Sequence, residues 1–149
     1  MTVTQGGVVN GEEFRHVGRK PDPADPVRRI MARRPVGVLQ AATLREVARE
    51  LADDETGAVV VENPGGASGL VSERDLVGAV ATGDDLDDRQ VADLMSTDLV
   101  TARPDDSIRR VATLMDDADV RHVLITDGAT VVGIVSVRDV LPALLRGLR

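Results

Sequence analysis

Apolar residues recur along this chain in two spacings, and the same succession of spacings occurs twice. In residues 44–51 they stand at positions i, i+3, i+4 and i+7, which is the spacing of one helical face. The β-branched run at residues 58–61 then indicates a buried strand. Residues 108–115 repeat the helical spacing, and residues 122–126 repeat the strand pattern. The hydrophobic pattern thus predicts two copies of one unit.

A fixed offset relates the two copies. Residues 69–75 read GLVSERD and residues 133–139 read GIVSVRD, 64 positions later (133 − 69). With the same offset, Met31 falls on Met95 and Arg45 falls on Arg109. An internal period of this kind indicates repetition of one supersecondary unit. We predict a first unit at residues 27–83 and a second unit at residues 91–149.

Both units show the same order of elements. A short helical lead-in (residues 27–31 and 91–95) precedes a short strand (36–39 and 99–102) and then a helix with a Thr or Ser near its start. The buried strand, a Gly-containing turn and a return strand follow, and a second helix begins at Ser72 or Ser136. The predicted order is β-α-β-β-α. Pro142 lies inside the last helix and lacks an N–H, so we expect a kink or early fraying there.

Two sheets packed face to face would best bury the apolar faces of these units. Two helices cannot fully cover a sheet with one apolar face, whereas a second copy of the sheet can. We therefore predict an α+β fold of tandem β-α-β-β-α repeats with pseudo-twofold symmetry and a cleft where the repeats meet. The chain of 149 residues contains one Phe, no Trp and no Tyr, so its core must be aliphatic.

Two segments lie outside the repeats. Residues 1–26 are polar and end with three prolines in six residues, which indicates a flexible or extended N-terminal arm. Residues 84–90 form an acidic linker. Its aspartates lack the Gly and the terminal Glu of a calcium loop, so we expect no metal site there.

The composition argues against several classes of function. A net charge of −7 argues against nucleic acid as a partner, and the longest apolar runs are far too short for a membrane-spanning helix. The chain has no cysteine, and no nucleophile–base pair is evident, so we expect no catalytic residues and no enzyme activity. Residues 1–11 lack the order of a signal peptide, and we expect a cytoplasmic protein.

The two Ser-x-x-Asp motifs have two interpretations, which the residues alone leave open. Ser followed three positions later by an acid is a good helix cap, and a duplicated unit would carry two. The same geometry also suits a ribonucleotide, because a helix N-terminus and a Ser hydroxyl can bind phosphate. Asp75 or Asp139 could then accept hydrogen bonds from ribose hydroxyls, and Arg74 or Arg138 could neutralise phosphate charge.

The chain resembles a pair of cystathionine β-synthase (CBS) domains, also called a Bateman module. The resemblance rests on residues 69–75 and 133–139, on Leu94-Met95, and on residues 120–125, which read VRHVLI. It covers residues 27–149. The resemblance implies two β-α-β-β-α domains in pseudo-twofold contact, dimerisation into a flat disk, and adenosine-containing ligands in the clefts between the two domains.

The resemblance also implies roles for individual residues. Asp75 and Asp139 would hold ribose hydroxyls, and Ser72 and Ser136 would contact phosphate. The short strands would line the adenine pocket through the backbone of Val36, Gly37, Val38, Val100, Thr101 and Ala102. Gly57, Ala58, Arg121 and His122 stand where the second strand enters the cleft. His122 replaces the proline of many members and could meet a phosphate or respond to pH.

We therefore interpret the chain as a non-catalytic regulatory module that binds AMP, ADP, ATP or S-adenosylmethionine and requires no cofactor. The alternative is a ligand-free structural or stress-response protein that keeps the fold and acts through dimerisation and partner binding. A homodimer and a regulated partner protein of unknown identity are expected in both cases.

Overall fold

The structure, a computed structural model, describes residues 19–53 and 55–149. The first repeat contains β1 (Ala32–Arg33), β2 (Gly37–Leu39), α1 (Leu44–Asp53), β3 (Ala58–Asn63), β4 (Gly66–Ser72) and α2 (Glu73–Ala81). The second contains β5 (Thr101–Ala102), α3 (Ile108–Ala118), β6 (His122–Asp127), β7 (Thr130–Ser136) and α4 (Val137–Gly147). Short 3-10 helices at Val27–Arg29 and Val91–Asp93 form the lead-ins.

Side-chain caps fix where the helices begin. At α1 the Glu46 N–H donates to the Thr43 hydroxyl at 3.2 Å, and the Thr43 N–H donates to the Glu46 carboxylate at 3.0 Å. At α3 the Ser107 hydroxyl accepts from the Arg110 N–H at 3.1 Å. Each cap satisfies backbone donors that have no partner within the helix.

Two sheets follow from the strand pairing. In one, β3 lies between parallel β2 and antiparallel β4. In the other, the order is β1-β7-β6-β5, with β5 parallel to β6 and the remaining pairs antiparallel. Apart from β1, the second sheet repeats the pairing of the first, as the 64-residue offset predicts.

The two sheets pack against each other through an aliphatic layer. Alternate residues of β3 point to opposite faces: Val59 and Val61 join the core with α1 and α2, whereas Val60 joins a separate cluster with Leu124 and Ile134 of the other sheet. All five side chains are at most 1% exposed. The prediction of two repeats packed sheet to sheet is confirmed.

Each repeat is completed by the lead-in of the other, which the sequence pattern did not predict. β1 precedes the first repeat's own strands, yet it pairs with β7 of the second repeat. The buried lead-in residue Val27 belongs to the second repeat's core, and Val91 belongs to the first repeat's core. The exchange is reciprocal, because Ser96, the counterpart of Ala32, bridges to Leu70 of β4.

The acidic linker and the end of the N-terminal arm are bonded to the repeats. Residues 1–18 of the predicted flexible arm lie outside the described residues. In the remaining part, the Pro23 and Asp25 carbonyls accept from the first N–H groups of α3, each at 2.9 Å. In the linker, Asp84 pairs with Arg89 at 2.7 Å, and Asp87 forms an ion pair with Arg45.

The last helix does not end early. α4 continues through Pro142 to Gly147, so the expectation of early fraying is wrong. Pro142 removes one backbone donor, but its carbonyl still accepts from the Arg146 guanidinium at 2.9 Å. Along the described part of the chain, no helix combines the length and apolar character needed to cross a membrane.

Candidate functional site

A cleft of about 640 Å³ lies between the two repeats. The ends of β4 and β7 meet there, so that both Ser-x-x-Asp motifs contribute to its wall. From the first repeat, the predicted site residues that line it are Gly57, Ser72, Arg74 and Asp75. From the second repeat, they are Val100, Arg121, His122, Ser136 and Arg138. The structure thus brings nine predicted residues into one space.

Both Ser-x-x-Asp motifs form capping boxes. One Asp75 oxygen accepts from the Ser72 N–H at 2.8 Å and from the Ser72 hydroxyl at 3.0 Å. In the second repeat, the corresponding oxygen of Asp139 accepts from the Ser136 N–H at 2.8 Å and from the Ser136 hydroxyl at 3.1 Å. In each carboxylate the cap uses one oxygen, so the other oxygen can accept from a ligand hydroxyl. Capping and ribose binding are therefore compatible in one residue.

The first turns of α2 and α4 keep one backbone donor for a ligand. The Glu73 N–H donates to the Gly57 carbonyl at 3.0 Å, and the Val137 N–H donates to the Arg121 carbonyl at 2.9 Å. At α2 the Asp75 N–H donates to the Ser72 hydroxyl at 3.3 Å. The N–H of Arg74 lies between those of Glu73 and Asp75 and is used by neither of their hydrogen bonds. It can therefore meet an anion at the positive end of α2.

Three guanidinium groups at the cleft make no ion pair. Arg74, Arg121 and Arg138 have no hydrogen bond or ion pair from their side chains to any described residue. Arginines elsewhere, such as Arg45 and Arg89, are paired with aspartates. Planar guanidinium groups with unused donors are suited to carboxylate or phosphate.

His122 joins the two repeats at the cleft. Its Nε2 lies 2.8 Å from the Thr56 carbonyl oxygen of the first repeat, so this nitrogen carries the proton and donates. The imidazole is partly buried and lines the cleft. The ring orientation is thereby fixed by a contact between repeats rather than by the strand to which it belongs.

Seven predicted site residues do not line the cleft. Ala58 and Ala102 have buried side chains in the hydrophobic clusters, so only their backbone could reach a ligand. The others outside the large cleft are Val36, Gly37, Val38, Thr101 and Asp139. Asp139 instead lines a smaller cavity, which shares Arg138 with the large cleft. The two Ser-x-x-Asp motifs are thus equivalent in sequence but not in their surroundings.

Sequence reasoning missed the segment before Val100. Ser96, Asp98 and Leu99 line the cleft because the second lead-in crosses to β4 of the first repeat. Their equivalents at residues 32–35 are not part of this wall. Glu73 and Val137 also line it, at the second position of each motif, where the sequences of the two repeats differ. Their place directly after Ser72 and Ser136, two predicted site residues, was the available signal.

Comparison with known proteins agrees with this architecture. The chain is 32% identical to the CBS domain-containing protein YhcV of Bacillus subtilis over 65% of its own length and 69% of that protein. It is 28% identical to the mitochondrial CBS domain-containing protein CBSX3 of Arabidopsis thaliana over 69% of its length, which corresponds to about half (53%) of the plant protein.

Among solved structures, a CBS domain protein from Pyrobaculum aerophilum, complexed with AMP, is 31% identical and superposes with a TM-score of 0.71. The match covers 81% of this chain and 98% of that one. The profile of the CBS domain family matches residues 27–82 and 91–146, so both repeats are accounted for. This chain belongs to the CBS domain family.

Proposed function

We propose that this protein is a non-catalytic regulatory module that binds an adenosine-containing nucleotide in the cleft between its repeats. The observation that carries the proposal is the convergence of Asp75, the α2 N-terminus and three unpaired arginines in one cleft of about 640 Å³. A cavity of that size is within the range of small-molecule sites. The AMP complex of the Pyrobaculum relative supports the same class of ligand.

Each part of a nucleotide has a group to meet. The free oxygen of Asp75 would accept from the ribose hydroxyls, while Ser72 and the Arg74 N–H would bind phosphate. Leu99 and Val100 supply an aliphatic wall for the adenine. Arg121 and Arg138 come from the opposite repeat, so a phosphate chain would contact both halves of the molecule.

The cleft is lined by charges of both signs: three arginines, and the carboxylates of Glu73, Asp75, Asp98 and Asp119. The unpaired guanidinium groups can attract phosphate, whereas the carboxylates can attract the cationic groups of S-adenosylmethionine, so the ligand panel has to include both classes. A ligand that contacts both repeats would stabilise one relative orientation of the repeats, and a partner protein could respond to that orientation. Regulation would then follow from population shift without chemistry on the ligand.

A panel of AMP, ADP, ATP, S-adenosylmethionine and NAD in a thermal shift assay tests the proposal. Ligand at about 100 times its Kd adds roughly 2.7 kcal/mol of stability, and each kcal/mol raises Tm by about 2–4 °C in a chain of this size. We expect Asp75→Asn to abolish the shift. Asp139→Asn weakens the equivalent cap of α4 but replaces a residue that does not line the large cleft, so it is the matched variant, for which the shift should remain. Unchanged binding by Asp75→Asn would refute the ribose role.

A ligand-free interaction module is the second candidate function. It is favoured by exposed apolar residues on α2 and α4: Val77 is 67% exposed, Val80 60%, Leu141 49% and Leu145 50%. Such a surface suits a homodimer or a partner protein. If no adenosine compound shifts Tm at millimolar concentration, this candidate replaces the sensor function.

A further inference from the structure

His122 bridges the two repeats beside the N-terminus of α2, where the proposed function has the phosphate. Its Nε2–H donates to the Thr56 carbonyl at 2.8 Å, and the carbonyl of the next residue, Gly57, accepts from the first N–H of α2 at 3.0 Å. The imidazole is thus held within one residue of the contact to the helix end that Ser72 caps. Ala58 stands at the equivalent position of the first repeat and has no side-chain donor, so that repeat cannot form the same bridge.

The second ring nitrogen of His122 is available for a proton. Nδ1 makes no hydrogen bond to any residue that the structure describes. Because the Thr56 carbonyl already engages the proton on Nε2, the ring would take up a further proton at Nδ1 and keep its existing hydrogen bond. Protonation therefore adds one positive charge to the cleft wall without breaking the bridge between the repeats.

Charges of both signs surround the imidazole. They come from α2, the segment before β5, the end of α3, the residue before β6, and α4, and they are Glu73, Arg74, Asp75, Asp98, Asp119, Arg121 and Arg138. Three are cations and four are anions, so their effects on the ring oppose one another. A bound phosphate would add a charge of about −2 with no compensating cation, which favours the protonated ring.

We propose that His122 couples nucleotide binding to proton uptake, so that the cleft binds its phosphate-bearing ligand more tightly as pH falls from about 8 to about 6. This inference rests on the proposed nucleotide function and adds a means of regulating it. By linkage, a ligand that favours the protonated imidazole must itself bind more tightly to the protonated protein. The gain in affinity is therefore present at the acid end of this range and is lost as pH rises.

Calorimetric titration of the full chain in buffers of different ionisation enthalpy counts the protons that are taken up on binding. The ligand is AMP, or whichever of ADP and ATP gives a larger thermal shift. A nucleotide phosphate itself titrates near pH 6, at about the pKa of a phosphate monoester, so a matched variant is needed. In His122→Gln the side-chain amide can still donate to the Thr56 carbonyl but cannot be protonated.

We expect the unmodified protein to take up more protons than His122→Gln when the nucleotide binds at neutral pH. The ratio of its affinity at pH 6 to its affinity at pH 8 should exceed that of the variant by about three- to tenfold. Adenosine has no phosphate, and its binding should show no such difference between the two proteins.

The imidazole C–H signals of the unmodified protein give a second measurement that does not require the variant to fold. The chain has two histidines, and His16→Gln assigns their signals. Added nucleotide should move the titration of the His122 signal to higher pH and leave that of His16 unchanged.

Two kinds of failure can be told apart. If a nucleotide binds with the same proton uptake in the unmodified protein and in His122→Gln, or if adenosine causes as much uptake as the nucleotide, this inference is wrong and the proposed function stands. If AMP, ADP and ATP all fail to bind at both pH values, the proposed function and this inference are both wrong.

Discussion

Asp25 attaches the segment before the first repeat to the body of the molecule. Its carboxylate accepts from Arg29 at 2.6 Å, from Arg19 at 2.7 Å and from the Asp22 N–H at 2.9 Å. The Asp25 side chain is 12% exposed. The hydrogen bond from Arg19 is the main cause that lowers the pKa of Asp25 below its ordinary value, and it outweighs the opposing effect of burial.

The lowered pKa of Asp25 makes its contribution to the free energy of unfolding depend on pH. A carboxyl whose pKa is lower in the folded state stabilises the fold above its unfolded pKa of about 3.9 and loses that contribution as pH falls through the folded pKa. We expect Asp25→Asn to lower the free energy of unfolding by about 1–2 kcal/mol at pH 7. The difference from the unmodified protein should shrink below about pH 4.

Urea unfolding of both proteins between neutral and acid pH measures this. Asp22→Asn is the comparison variant, because the Asp22 side chain is 45% exposed and bonds one arginine side chain, so its effect should be smaller. If Asp25→Asn lowers the free energy of unfolding by the same amount at every pH, the carboxylate charge is not what stabilises the segment.

At the scale of elements, α2 and α4 are covered on one face only. Ala79 of α2 and Val140 and Ala143 of α4 are buried, while Leu141 and Leu145 stand one turn apart on the exposed face of α4. A continuous exposed stripe of this kind favours association with another surface. We attribute it to the proposed homodimer.

The double variant Leu141→Glu/Leu145→Glu tests that attribution. Burying two leucines contributes about 3 kcal/mol or more, so the dimer should dissociate at least about a hundredfold more readily. Sedimentation velocity over a range of concentrations measures the change. Leu39→Glu is the control, since Leu39 is 70% exposed but lies on β2. A protein that is monomeric before substitution, or an equal effect of Leu39→Glu, would exclude the stripe as the interface.

Most elements followed from local patterns in the sequence. The helical spacing at residues 44–51 and 108–115 and the β-branched runs fixed two helices and two central strands, and the Ser-x-x-Asp motifs fixed the start of α2 and α4. The fraying expected at Pro142 does not occur. The proline removes only one hydrogen bond, whereas the face of α4 that packs against the core stabilises the whole helix. The different surroundings of Asp75 and Asp139 could not be predicted, since their motifs share the same Ser-x-x-Asp spacing.

At the scale of the whole molecule, two buried glycines allow the lead-ins to cross. A Cβ on Gly69 would overlap the Met95 side chain, and a Cβ on Gly133 would lie 2.5 Å from the Met31 sulfur and 3.1 Å from the Ala32 carbonyl oxygen. Both methionines come from the lead-in of the opposite repeat. Glycine is thus required where each lead-in passes over a strand.

We expect Gly69→Ala to destabilise the fold by about 1–3 kcal/mol because of overpacking. Gly78→Ala should stabilise it by about 0.5–1 kcal/mol, because Gly78 lies within α2 and a Cβ there meets nothing within 4 Å. Denaturant unfolding gives both values. In Gly69→Ala/Met95→Ala the two effects should be less than additive. Additive effects would contradict a direct contact between the two positions.

The crossing itself could not be predicted from the repeat. An offset of 64 residues is preserved whether each lead-in packs on its own unit or on the other unit, because both arrangements are symmetric. The period therefore leaves the choice between the two arrangements open. Contacts between distant segments decide it, which is information that a periodic pattern does not contain.

The exchange of lead-ins also has an evolutionary consequence. One repeat alone would lack part of its core and could complete it only by exchanging lead-ins with an identical chain. Joining two copies replaces that encounter with an intramolecular contact at an effective concentration of about millimolar. In an exchanged pair of identical chains the two copies must keep the same sequence, whereas in a fused pair the two repeats can diverge. His122 is such a divergence: its counterpart in the first repeat is Ala58, and only the histidine can bond the Thr56 carbonyl across the cleft.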